Sequence, residues 1–336
     1  MAQQNADQAV HRAARAGLTE ELAEMLAMDP SMIDAKGVDA RTPLHCAGTV
    51  AVAALLLDHG AQIDARDEDH DSTPAQWCIR KSPDVARFLV EHGAKADIFL
   101  AAALGDLALA ERLVTEDRGC LSHRIGKPPE FPPIGHQGRG GTIYQWTLGF
   151  NSYPHQIALI KGHQAIFDFL YTASDTTTRL LLNCVLARRA EAEAIAEQHP
   201  EIIPGLPDVD RELVAKYCWE TNTNYDAVKL MLDLGFPVAH PELSHGYTPL
   251  HNAAWAGSGD LVELLITRGH PVAIRDPVHD ATPLGYALYD CLVEKRHPEG
   301  EFPRVVKALL EAGSPLQDVE YPTGDAAVDE VLRAYL

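Results

Sequence analysis

The sequence has no Cys-x-x-Cys or His-x-x-x-His pair, no Gly-x-Ser-x-Gly elbow and no phosphate-binding loop. Catalysis or metal binding would therefore need residues from separate parts of the chain. The six cysteines, at 46, 78, 120, 184, 218 and 291, stand singly. They read as buried thiols in a reducing compartment, without a paired-cysteine metal site. No segment approaches the roughly 18 uncharged apolar residues of a spanning helix. The polar stretch from Met1 to Val10 lacks the apolar run of a secretory signal. A cytoplasmic protein without a membrane partner is expected. Basic residues are few, 28 Lys and Arg against 48 Asp and Glu, for a net charge of -20. That balance opposes a nucleic-acid partner, whose phosphates need clustered Lys and Arg, and suits cationic or neutral ones. Nothing implies a cofactor.

What the chain does contain is repetition. Thr248-Pro249-Leu250-His251 opens a block followed by Asp260 to Leu265 and then Gly269. Thr248 can cap orphan amides, Pro249 fits the first helical position, and Gly269 can stop the second helix in a left-handed conformation. The block recurs at Thr282-Pro283-Leu284, about 34 residues on, and Val214 stands about 34 before. It recurs again at Thr42-Pro43-Leu44-His45 and Thr73-Pro74-Ala75-Gln76. Degenerate copies lie at Ala13 to Gly17, Ala101 to Asp106 and Leu180 to His199, and at Tyr153-Pro154-His155-Gln156, where the block reads one residue out of step.

These blocks resemble the ankyrin-repeat family over nearly the whole chain outside residues 118–152. The resemblance implies an all-α fold, an ankyrin-repeat solenoid of roughly nine helix pairs with finger loops, finished by a polar-faced helix from Asp325 to Leu336. It also implies protein recognition through fingers and first helices. One continuous domain is expected: N-terminal repeats over 1–117, an inserted loop over 118–152, and C-terminal repeats with the terminal helix over 153–336. The chain departs from regular examples in missing fingers near Ala96 and Leu180, a shortened turn after Cys46, and the insert.

The insert carries Pro128, Pro129, Pro132 and Pro133, then Gly135, Gly138, Gly140 and Gly141, then Tyr144 and Trp146. About two dozen of its residues exceed what a finger needs. Its aromatic content argues for an ordered flap, since disordered segments are poor in aromatics, and the resemblance implies that it roofs or edges the groove. The bland alternative is a cover for the irregular junction at the Ala101 repeat.

Counting four, seven and eight places from each capping threonine gives the residues facing the groove: Trp77, Arg80 and Lys81; Asn252, Trp255 and Ala256; Tyr286, Tyr289 and Asp290. Such rings suit flat apolar ligands, sugars or cations held over a ring face, or else pack between helices. The finger before Thr73 holds Asp67, Glu68, Asp69, His70 and Asp71, more acid than turn chemistry requires. Crowded carboxylates can raise one another's pKa values, bind a cation, or meet a basic partner. His45 and His251 are expected to tie fingers together, and His59, His92 and His270 to sit at helix ends. His70, His123, His136, His155, His245 and His279 are left for fingers and flap, without ligand spacing for a metal.

Two functions follow. The first is a scaffold that binds another protein's basic or extended segment through Asp67, Asp69 and Asp71, with Trp77 and Trp255 supplying contact area. The second is a small-molecule binder or hydrolase, for a carbohydrate for example, with its pocket under the flap. There Asp69, His70 and Asp71 would be acid-base groups, Trp77 and Trp146 stacking platforms, and Asn151 and Asn252 orienting groups. Arg80, His136, Tyr144, His155 and Tyr286 complete the expected binding surface.

Overall fold

The structure is a computed structural model that describes residues 8–219, 223–316 and 319–336. Residues 1–7, on which most of the reading of the N-terminus rests, lie outside the described residues. The chain divides into two compact units, Met1–Ser174 and Asp175–Leu336.

Among the described residues the regular elements are all helical, and most of them come in pairs. The first unit holds Ala9–Ala16 with Thr19–Met28, Pro43–Cys46 with Val50–Asp58, Pro74–Cys78 with Pro83–Glu91, Ile98–Leu104 with Leu107–Glu116, and Pro154–Ile160 with Gln164–Ala173. The second holds Thr176–Val185 with Arg189–Gln198, Leu213–Lys216 with Tyr225–Asp233, Pro249–Trp255 with Gly259–Thr267, and Pro283–Tyr289 with Phe302–Glu311, closed by Ala326–Leu332. These make the nine pairs and terminal helix that the repeats predict. Within a unit, like packs on like: Pro249–Trp255 lies on Pro283–Tyr289, and Gly259–Thr267 on Phe302–Glu311. Such contacts bury the apolar faces of successive pairs on one another, as stacking repeats must.

The repeated block works as its residues require. Thr248 is the N-cap and Pro249 fills the first turn. The Thr248 amide donates to Nδ1 of His251 (3.3 Å), and His251 Nε2 donates to the Ala281 carbonyl of the next finger (3.1 Å). His45 does the same between Thr42 (3.0 Å) and Ser72 (3.1 Å). A third copy needed no threonine: His11 joins Gln8 to the carbonyls of Ala35 and Arg41. Gly269 has φ 84°, the left-handed stop that its position predicts.

The block at Tyr153 is in register, not one residue out of step. Tyr153 is the N-cap and Pro154 the first helical residue, and Gln156 accepts the Tyr153 amide (2.9 Å), as Gln76 accepts that of Thr73 (2.9 Å). His155 therefore occupies the place of the leucine, wholly buried, with Nε2 against Ser174 Oγ (2.9 Å). Beneath the insert the stack is unbroken, because Ile98–Leu104 packs directly on Pro154–Ile160.

Candidate functional site

The fingers before Thr73 and Thr282 are built alike, as Arg-Asp-x-x-His-Asp-x-Thr-Pro at Arg66 and Arg275. In the first, the Asp67 carboxylate accepts the amides of His70 (2.8 Å) and Ser72 (2.7 Å) and the Trp77 indole N–H (3.2 Å). In the second, Asp276 accepts the amides of Val278 (2.9 Å), His279 (2.7 Å) and Ala281 (3.0 Å). Burial raises the Asp276 carboxyl, but these amides outweigh it and hold the group below the ordinary carboxylate range. Asp71 and Asp280 both adopt positive φ, and their carbonyls accept Arg66 and Arg275 respectively. The expected role of Asp67 in partner binding is thereby corrected. It is buried, and its oxygens are engaged in folding the finger. Asp71 serves the turn and pairs with Arg66 (3.4 Å), keeping an exposed carboxylate.

Asp69 and His70 hold the flap. The Gly140 amide donates to Asp69 at both Oδ1 (2.9 Å) and the carbonyl oxygen (3.0 Å). His70 Nδ1 donates to the Gly141 carbonyl (2.8 Å), and the Ile143 amide to Ser72 Oγ (3.3 Å). A Cβ on Gly140 would stand 2.3 Å from Asp69 Oδ2, so a larger residue here would displace the side chains of the clasp. Deeper in, the buried Tyr144 hydroxyl donates to the carboxylate of Asp97 (2.8 Å to Oδ2), which also accepts the Gln76 amide (2.8 Å). Burial pushes the Asp97 carboxyl above its ordinary range against these donors. Tyr144 and Phe131 pack around Phe99 at 5.5 and 4.7 Å between ring centroids. The flap thus has its own small core, and Tyr144 is a core residue, not a binding surface.

Two cavities flank this clasp. A cleft of about 530 Å³ is lined by Asp69, His70, Asp71, Asp97, His136 and Arg139, among others. A separate groove of about 330 Å³ holds Trp77 and Trp146 with Arg15, Arg41, Arg80 and Lys81. Arg41 lies over the Trp77 ring, 4.7 Å from its centroid, and Arg80 donates to the Trp146 carbonyl (2.9 Å). The rings expected to stack a ligand and the carboxylates expected to act on it thus line different cavities. Asn151 is buried in a positive-φ turn, and Asn252 is buried with its amide donating to the Ala215 carbonyl (3.0 Å). Neither orients a ligand beside the flap.

The second unit gathers rings more tightly. A cavity of about 440 Å³ is lined by Trp219, Tyr247, Trp255, Tyr286, Tyr289 and Glu294, with His279 beside them. Trp255 stands 5.9 Å from Tyr286 and 6.0 Å from Tyr289. Tyr247 meets Tyr286 edge to face at 5.4 Å. Trp255, Tyr286 and Tyr289 thus line one cavity, Tyr286 itself being buried. Asp290 is instead buried, paired with His297 (3.0 Å). Counting forward from each threonine missed Tyr247 and Arg41, which immediately precede Thr248 and Thr42 and face the same side. Trp219 and Asp97 sit where the finger pattern is weakest, and no spacing marks them.

Among the described residues, no helix is long and apolar enough to cross a membrane. All six cysteines are free; five are buried, and burial pushes the thiols of Cys78 and Cys184 up to about 12.

Comparison with known proteins bears on the repeats. A family described as ankyrin repeats in 3 copies matches residues 10–100, and one described as ankyrin repeats in many copies matches residues 218–266. Among solved structures, the human ASB11 ankyrin repeat domain is similar over 92% of this chain and 99% of its own, at 20% identity and a TM-score of 0.32. No curated protein matches.

Proposed function

Because the chain is an ankyrin-repeat protein, we propose that it is a binding scaffold that holds an extended, basic segment of a partner protein on the side of its fingers and first helices. Binding other proteins is the general work of such repeats. The observation that carries the finer reading is the gathering of Trp255, Tyr286, Tyr289, Tyr247 and Trp219 around one open cavity with Glu294 at its edge. Large, stiff rings supply contact area at small entropic cost and dominate recognition surfaces. Exposed carboxylates at Asp69 and Asp71 offer the acidic finger's remaining share of charge, while Asp67 contributes only shape. Free buried thiols accord with a reducing, cytoplasmic setting.

The test is a selection of random extended peptides displayed against the full chain. Enriched peptides should carry Lys or Arg beside apolar residues. The exposed ring Tyr289 can be removed with little cost to folding, so Tyr289→Ala should weaken the selected peptides by about tenfold or more. A selected set without basic residues, bound equally well by this variant, would sink the proposal.

A further inference from the structure

The aromatic cavity of the second unit differs from the other cavities in the kind of wall it presents. Five aromatic side chains come from four stretches of chain: Trp219, Tyr247, Trp255, and the Tyr286 and Tyr289 of one helix. An apolar ligand would need only the rings. Two carboxylates add a negative field. Glu294 lies on the lining, its Oε1 within 3.4 Å of the Tyr289 hydroxyl. Burial pushes the hydroxyl pKa values of Tyr247 and Tyr286 up, and the charge of the buried Asp276, itself held below the ordinary carboxylate range by three amides, adds to the rise in both. The chain also supplies a cation of its own at this place. The guanidinium of Arg296 stands 5.9 Å from the Trp255 centroid, with Nε 3.1 Å from Glu294 Oε2. At that distance the contact is loose compared with Arg41 over Trp77, at 4.7 Å.

Aromatic faces are negative, and several rings around one point favour a cation whose charge is spread over methyl groups. Such a cation loses little hydration on entering and fills the space with apolar surface. We propose that this cavity is a receptor for an alkylated ammonium group, with Trp255, Tyr247, Tyr286 and Tyr289 as its walls and Glu294 as counter-charge. The source of that group is a methylated lysine side chain on the partner segment, and this part rests on the scaffold reading. The chemistry of the cavity does not depend on it.

Tryptophan fluorescence of the full 336-residue chain, titrated with tetramethylammonium chloride at constant ionic strength, tests the chemistry. A saturable change is expected. The neutral isostere 3,3-dimethylbutan-1-ol should bind at least about fivefold more weakly, since it offers the same methyl groups without charge. Tyr289→Ala and Glu294→Gln should each weaken the cation about threefold or more. Arg296→Gln removes the resident cation and frees Glu294, so it should tighten binding. Equal response to the neutral isostere, or tetramethylammonium binding unchanged in both Tyr289→Ala and Glu294→Gln, would overturn the proposal. Capped trimethyl-lysine, capped lysine and choline then separate the sources. The trimethylated amino acid should exceed unmodified lysine by about tenfold and at least match choline. If choline alone binds, the cavity's chemistry stands and its assignment to a partner's lysine fails. A scaffold that selects basic peptides but ignores tetramethylammonium would leave the protein-binding reading standing and refute the cage.

Discussion

Several histidines in this chain are structural because one nitrogen accepts an amide while the other donates to a neighbouring finger. His45 is held this way, and burial pushes its pKa down to about 4, with the Ser72 carbonyl opposing. His155 and His270 are also pushed down to about 4, again chiefly by burial. In the unfolded chain each would titrate near the ordinary value of about 6.5. Between that value and pH 4 the unfolded state binds more protons than the folded one, so stability falls as the pH falls. The stabilisation is fully present above pH 6.5. Each imidazole removes up to about 1.4 kcal/mol per pH unit through that window. Chemical denaturation at pH 7.5 and 4.5 should show this loss, and His45→Gln should make it shallower. A stability that is flat over the window would contradict the assignment. The aspartates divide by the same accounting of partners: Asp67 and Asp276 fold their fingers, whereas Asp69 binds a second segment.

At the scale of elements, the flap is a segment clasped to a finger, and Gly140 is the residue through which the clasp can be opened. Gly140→Ala would drive a methyl group onto the Asp69 carboxylate. The clasp should open and cleavage within residues 118–152 by a nonspecific protease should speed several-fold, while the helix pairs keep their far-ultraviolet signal. Unchanged cleavage would mean that the Tyr144–Asp97 and Phe131–Phe99 contacts alone hold the flap. The Thr-Pro-Leu-His copies were legible because capping is local: a threonine, a proline and a fourth-place histidine specify the start of a helix without knowledge of anything distant. Tyr153 escaped that logic, since a tyrosine at the cap is unusual and the paired Gln156 carries the signal. The clasp was not legible either. Asp69 and Gly140 are 71 positions apart, and nothing local to either announces the other. The surplus of acid in the finger was visible; its use in part to hold a loop was not.

At the scale of the molecule, net charge is a poor guide to local surfaces. The chain carries -20, yet the groove beside Trp77 and Trp146 is ringed by Arg15, Arg41, Arg80 and Lys81, while the aromatic cavity of the second unit has Glu294 on its wall. A ligand of the first would need acid, and a ligand of the second a cation. Both surfaces share one origin, because fingers and first helices present the residues just before and a few places after each capping position. Hydrogen exchange of the full chain, with and without the tightest peptide from the display selection, tests this most directly. The account predicts slower exchange in residues 245–256 and 279–294, which carry the fingers and first helices of the aromatic cavity. Protection confined to the second helices, Gly259–Thr267 and Phe302–Glu311, would contradict it.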